Sequence, residues 1–84
     1  MSEQETEIGE VMTYYANIGV AAVELTGSVK VGATIIFRGF TTDLEQKVDS
    51  MQIEHDSVQE AKAGDKIGVK VRGMVRKNDR VYKK

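Results

Sequence analysis

Apolar positions along the 84-residue chain fall into short runs with a period of two, separated by glycine, asparagine and aspartate. That is the pattern of a small antiparallel β protein. Residues 9–15 place Val11, Thr13 and Tyr15 on one strand face and Met12 and Tyr14 on the other. Asn17 and Gly19 turn the chain into residues 20–25, whose small, mostly apolar side chains predict a strand buried on both faces, ended by Thr26-Gly27-Ser28. Lys30-Val31-Gly32 predicts a second turn and residues 33–38 a third strand, broken by Gly39 and a loop of Phe40, Thr41, Thr42 and Asp43. Residues 44–53 alternate, but their apolar members shift from even to odd positions near Asp49-Ser50, which predicts a bulge. Ser57-Val58-Gln59-Glu60 has the spacing of a capping box and predicts a helical turn over residues 58–62, stopped by Gly64. In residues 66–76, Ile67, Val69, Val71 and Val75 are expected inward and Lys66, Lys70, Arg72, Met74 and Arg76 outward. Asn78-Asp79 predicts a tight turn into a closing strand, Arg80-Val81-Tyr82.

The expected architecture is all-β, a closed six-stranded antiparallel barrel over residues 9–84 with one helical turn, preceded by an acidic, disordered tail over residues 1–8. Its interior is expected to hold Val20, Ala22, Ile35, Val48, Ile67, Val69, Val71 and Val81. Gly32, Gly64 and Gly73 are expected to occupy turns or close contacts that a side chain would disturb.

Charge changes this picture by its distribution. The net charge is −1, yet residues 1–60 carry three Lys/Arg against eleven Asp/Glu, and residues 61–84 carry nine against two. Lys66, Lys70, Arg72 and Arg76 would lie along roughly 33 Å of one outward strand face, at about 3.3 Å per residue. Lys77 and Arg80 would extend the row. Such a row suits RNA phosphates, whereas the competing account pairs the same cations with the acidic half of the barrel. Tyr14, Tyr15, Phe37 and Phe40 are the rings able to stack on bases, and Tyr14 and Tyr15 cannot both point inward from one strand.

Little else in the chain carries chemistry. The absence of cysteine excludes disulfides and sulfur-ligated zinc. The single histidine, His55, stands between Glu54 and Asp56, and neighbours on an extended segment cannot all reach one metal, so it is expected to be a solvated loop residue. Thr41, Thr42 and Asp43 have no base in sequence reach and are expected to be turn residues. No metal, cofactor or catalytic residue is expected. The longest apolar stretch, residues 18–23, is far short of the ~20 residues of a spanning helix. With an acidic N-terminus in place of a secretory signal, this predicts a cytoplasmic protein without a membrane anchor.

Taken in order, Gly27-x-x-Lys30-Val31-Gly32-x-x-Ile35, Thr41-Thr42, Ala63-Gly64-Asp65-x-Ile67-Gly68-Val69-x-x-Arg72-Gly73 and Asp79-x-Val81 resemble the β-barrel second domain of elongation factor Tu and related translational GTPases. Residues 14–21 and 50–55 resemble those of small stand-alone translation-factor-like proteins. The resemblance implies a Greek-key barrel. No Gly-x-x-x-x-Gly-Lys-Ser/Thr loop is present, so GTP hydrolysis is not expected. Gln52 and Lys66 stand where the family's aminoacyl pocket has Glu and Asn, so that pocket's chemistry does not carry over, while Arg72 matches the arginine of the family's last long strand. The reading that follows is a non-enzymatic binding module of translation that contacts RNA, tRNA or the ribosome. The alternative is a protein-interaction barrel that docks on another enzyme or factor.

Overall fold

The computed structural model describes residues 6–54 and 56–84, so His55 and the first five residues of the acidic tail lie outside the described residues. Ten strands form: β1 (Thr6–Tyr15), β2 (Val20–Leu25), β3 (Val29–Lys30), β4 (Thr34–Arg38), β5 (Asp43–Lys47), β6 (Met51–Ile53), β7 (Asp56–Val58), β8 (Glu60–Ala61), β9 (Lys66–Lys70) and β10 (Arg80–Lys83). Eight of them make one antiparallel sheet in the order β5-β4-β10-β1-β2-β9-β6-β7, and β3 pairs with β8 in a second, two-stranded sheet. No helix forms among the described residues, and therefore none long and apolar enough to cross a membrane.

The sheet is open, a half-barrel in place of the closed six-stranded barrel expected from sequence. Its end strands, β5 and β7, share no ladder among the described residues. The gap beside β5 is spanned by a side chain. Buried Gln46 donates from Nε2 to the Lys70 carbonyl at 2.9 Å and accepts the Arg72 N–H at 2.8 Å. The predicted long strand over residues 44–53 is two strands, and the break falls where its alternation shifts. There the chain leaves β4, and Val48 exchanges backbone hydrogen bonds with Gly32 and Ala33 before β6 joins β9.

The expected helical turn is also absent. Residues 56–58 pair with β6 in the register Met51↔Val58, Gln52↔Ser57, Ile53↔Asp56, around a turn in which Glu54 has φ +52°. One isolated helical turn closes few hydrogen bonds for the residues it orders. Strand pairing satisfies these groups instead, with β8 against β3 and the Gln59 carbonyl accepting the Val31 N–H at 2.8 Å.

Phe37, Ile35, Val11, Val23, Val48, Met51, Val69, Val75 and Val81 form the centre of the core. Val20 and Ala22, expected inside, are half-buried on the outer face, while Ala21, Val23 and Leu25 point in. Small apolar side chains on both faces of β2 hide its phase. β1 starts at Thr6 with Ile8 buried, three residues before the predicted start at Gly9. Gly32 and Gly64 have φ +94° and +95°, whereas Gly73 is not in the positive-φ region and lies against Leu44.

Candidate functional site

The outer face of β2, β9 and β6 is where the molecule departs from a polar surface. Register places Ala22 opposite Gly68, and Gly68 opposite Gln52, so a row across three strands has little side-chain bulk at its centre. Val20 lies one side of that row, with Tyr15 beside it on β1. Ile18, 59% exposed, projects from the β1–β2 turn, and Tyr15 is 49% exposed. Together with Gln52, Glu54, Lys66, Ile67 and Gly68, these residues line a groove of about 300 Å³. A solvated sheet face alternates polar outward positions with apolar inward ones. Here Val20, Ala22 and Gly68 all occupy outward positions, and polar groups appear only at the rim: Glu24 opposite Lys66 at one end, Lys70 opposite Val20 at the other, Gln52 on β6 and Glu54 in the turn after it.

The groove's depth comes from Gly68. A Cβ built there would sit 3.4 Å from Val20 Cγ1 in an otherwise open site, and its backbone is not in the positive-φ region, so conformation does not require glycine. A glycine inside a strand often marks a place where another chain or ligand approaches closely. That signal was present in Lys66-Ile67-Gly68-Val69-Lys70, at an outward position between two lysines.

The predicted basic row does not form as one strand. β9 ends at Lys70, beyond which the Val71 N–H bonds to the Gly19 carbonyl and the Arg72 N–H to Gln46, so the backbone leaves the ladder. Lys66 and Lys70 are exposed on the outer face of β9. Arg72 Nη2 lies 2.9 Å from Asp49 Oδ2, and Arg80 Nη1 lies 3.0 Å from Glu7 Oε2, so two of the six cations meet acids of the N-terminal sixty residues. Arg76 and Lys77 are exposed in the segment after β9, beside the β4–β5 turn. Of the four candidate rings, Phe37 is in the core and Tyr14 packs against it, Tyr15 lines the groove and Phe40 is fully exposed.

The topology, the turns at Gly32 and Gly64 and the strand that follows Asp65 define a translation-factor type of β module. A model of elongation factor Tu domain 2 matches residues 20–81, and the chain belongs to that family. Its relatives divide between two kinds of protein. An uncharacterized protease of Methanocaldococcus jannaschii is 45% identical over 80 residues, covering 94% of this chain and 20% of the relative. A collagenase of Porphyromonas gingivalis is 32% identical over 84 residues, covering 98% of this chain and 23% of the relative. Elongation factor 1-alpha of Pyrococcus horikoshii is 42% identical over 66 residues, covering 74% of this chain and 15% of the relative. The chain thus spans about a fifth of the length of the curated relatives it matches. Among solved structures, the C-terminal domain of a Geobacillus thermoleovorans U32 peptidase has the same fold, with a TM-score of 0.87 at 19% identity, covering 92% of this chain and 90% of that one.

Proposed function

We propose that the chain is a non-catalytic docking module of a protease, which holds a neighbouring polypeptide surface of that protease against the β2–β9–β6 face. The observation that carries this reading is the apolar groove on a sheet face that would otherwise be solvated. Tyr15, Ile18, Val20 and Ala22 surround the gap left by Gly68, with charges confined to the rim. An apolar centre with a polar rim is the anatomy of a protein interface. The relatives matched over nearly the whole chain are proteases and collagenases, in which the matching segment is only a fifth to a quarter of the length. They favour a protein surface over RNA as the occupant, and a docking role over the translation role implied by the sequence resemblance.

The test is calorimetric titration of this chain into the remaining part of the protease of this type from the same genome, with tRNA as a parallel titrant at low and moderate salt. Association is expected with a negative heat-capacity change from apolar burial. Gly68→Leu, which fills the groove, is expected to weaken it at least tenfold while melting like the wild type. Unimpaired binding by Gly68→Leu would remove the groove from the interface. Salt-sensitive tRNA binding without protease binding would restore the RNA reading.

A further inference from the structure

The turn between β4 and β5 carries a large apolar side chain with no cover. Phe40 has a relative exposure of 105% at the tip of that turn, and no residue of the groove takes part. The turn is held firmly. The Gly39 N–H donates to the Thr42 carbonyl at 2.9 Å, and the Thr42 side chain is buried. Beneath it lies Asp79, 4% exposed, whose Oδ2 accepts the Arg76 N–H at 2.7 Å, so its carboxylate is turned inward. Asn78, at φ +77°, and Asp79 both bond to the backbone of Val11 at 2.8 Å, which ties this second turn to β1. Between the two turns is a notch of about 220 Å³ with Phe40 on one wall and Arg76 and Lys77 on the other. Both cations are exposed, and neither forms an ion pair among the described residues.

An aromatic ring on a backbone already ordered loses little conformational freedom when it is covered, which is the property of an interface anchor. The charge beside it selects the partner. A phosphate backbone is tracked by a run of cations, but the neighbouring arginines, Arg72 and Arg80, are engaged with Asp49 and Glu7. Two cations beside one ring suit a short segment that brings one or two carboxylates and one apolar side chain. We propose that Phe40, Arg76 and Lys77 form a docking point for an acidic polypeptide segment, which seats an apolar side chain against Phe40 and its carboxylates against the two cations. The site is independent of the groove and stands whether or not a protease body occupies that face.

The probe is a synthetic nonapeptide with leucines flanked by glutamates, titrated into the isotope-labelled full chain and followed by amide chemical shifts. A lysine-and-leucine peptide, hexauridine RNA and anionic lipid vesicles are run in parallel. Shifts are expected at residues 39–42 and 76–79 with the acidic peptide alone. Phe40→Ala, whose side chain touches nothing in the fold, is expected to weaken binding at least tenfold, and the double variant Arg76→Glu, Lys77→Glu to abolish it. The spectra of the free variants verify that both are folded. Shifts confined to other residues, no response at millimolar peptide, unchanged affinity of Phe40→Ala, or tighter binding of the RNA or the vesicles at this site would each overturn the proposal.

Discussion

Replacing Gln46 by alanine tests the means by which the open sheet is held together at β5. The wild-type amide uses both hydrogens, on the carbonyls of Lys70 at 2.9 Å and Lys47 at 3.3 Å, and its oxygen takes the Arg72 N–H at 2.8 Å. Truncation leaves the Lys70 carbonyl and the Arg72 N–H without these partners. A buried polar group stranded in this way costs about 1–3 kcal/mol, with the lower part of that range appropriate where water can enter. Lys70 and Arg72 are themselves exposed at the rim of the gap, so a total of about 2–4 kcal/mol is expected. For a domain of this size, whose whole stability is on the order of 4–13 kcal/mol, that is a large fraction. The melting temperature should fall by roughly 10–25 °C. Urea unfolding followed by circular dichroism gives the free energy, and hydrogen exchange at the Arg72 amide gives the local effect, expected as faster exchange in the variant. Gln46→Glu separates the two halves of the bridge, because it keeps an acceptor for Arg72 and places an oxygen against the Lys70 carbonyl. It should also be destabilised, but with slower Arg72 exchange than in the alanine variant. A loss below about 1 kcal/mol for Gln46→Ala, with unchanged exchange, would refute the bridge as the element that ties β5 to the segment after β9.

Glycine substitutions should rank by what the new Cβ meets. Gly39→Ala would overlap the buried Asp79 carboxylate and Gly9→Ala would lie 2.7 Å from the Glu24 carbonyl, so each should cost about 1–3 kcal/mol in urea unfolding. Gly32→Ala and Gly64→Ala meet nothing within 4 Å and pay only for a positive φ, about 1 kcal/mol, so the reverse ranking would contradict the packing described here. Asp49→Ala breaks an ion pair whose side chains are 62% and 59% exposed, so it should change stability by no more than about 1 kcal/mol, and a larger loss would show that the pair organises the segment after β9.

How much of this was legible in the sequence depended on how strongly each residue declared its face. In β9 a lysine at either end brackets Ile67 and Val69, and the alternation gave the strand correctly. Its end was not legible, because Val71 and Val75 are both buried and continue the alternation, although a hydrogen bond to Gly19 and another to Gln46 take the backbone out of the ladder. The Ser57-to-Glu60 spacing was a sound local signal that lost to pairing with β6 and β3, which no local pattern displays. Nothing in the alternation of residues 44–53 singled out Gln46 as a bridge, because its partners lie 24 and 26 residues away.

The error in β2 bears most directly on function. Val20 to Leu25 looked buried on both faces because Val20 and Ala22 are apolar where an outward position should be polar, and in the folded chain that face is only half-buried. Local pattern and isolated structure therefore disagree at one place, and they disagree in a definite direction. The strand has the composition of a two-sided core and the environment of a surface. Side chains as small as these contribute little by covering themselves, and Gly68 opposite Ala22 contributes no cover at all. Such a face becomes consistent with its sequence when a second apolar surface is laid over Val20, Ala22 and Gly68, with Lys66, Lys70 and Glu54 left at the edge to meet water and the partner's polar groups. The misread phase of β2 and the apolar groove are thus the same physical fact, seen first along the chain and then across the sheet.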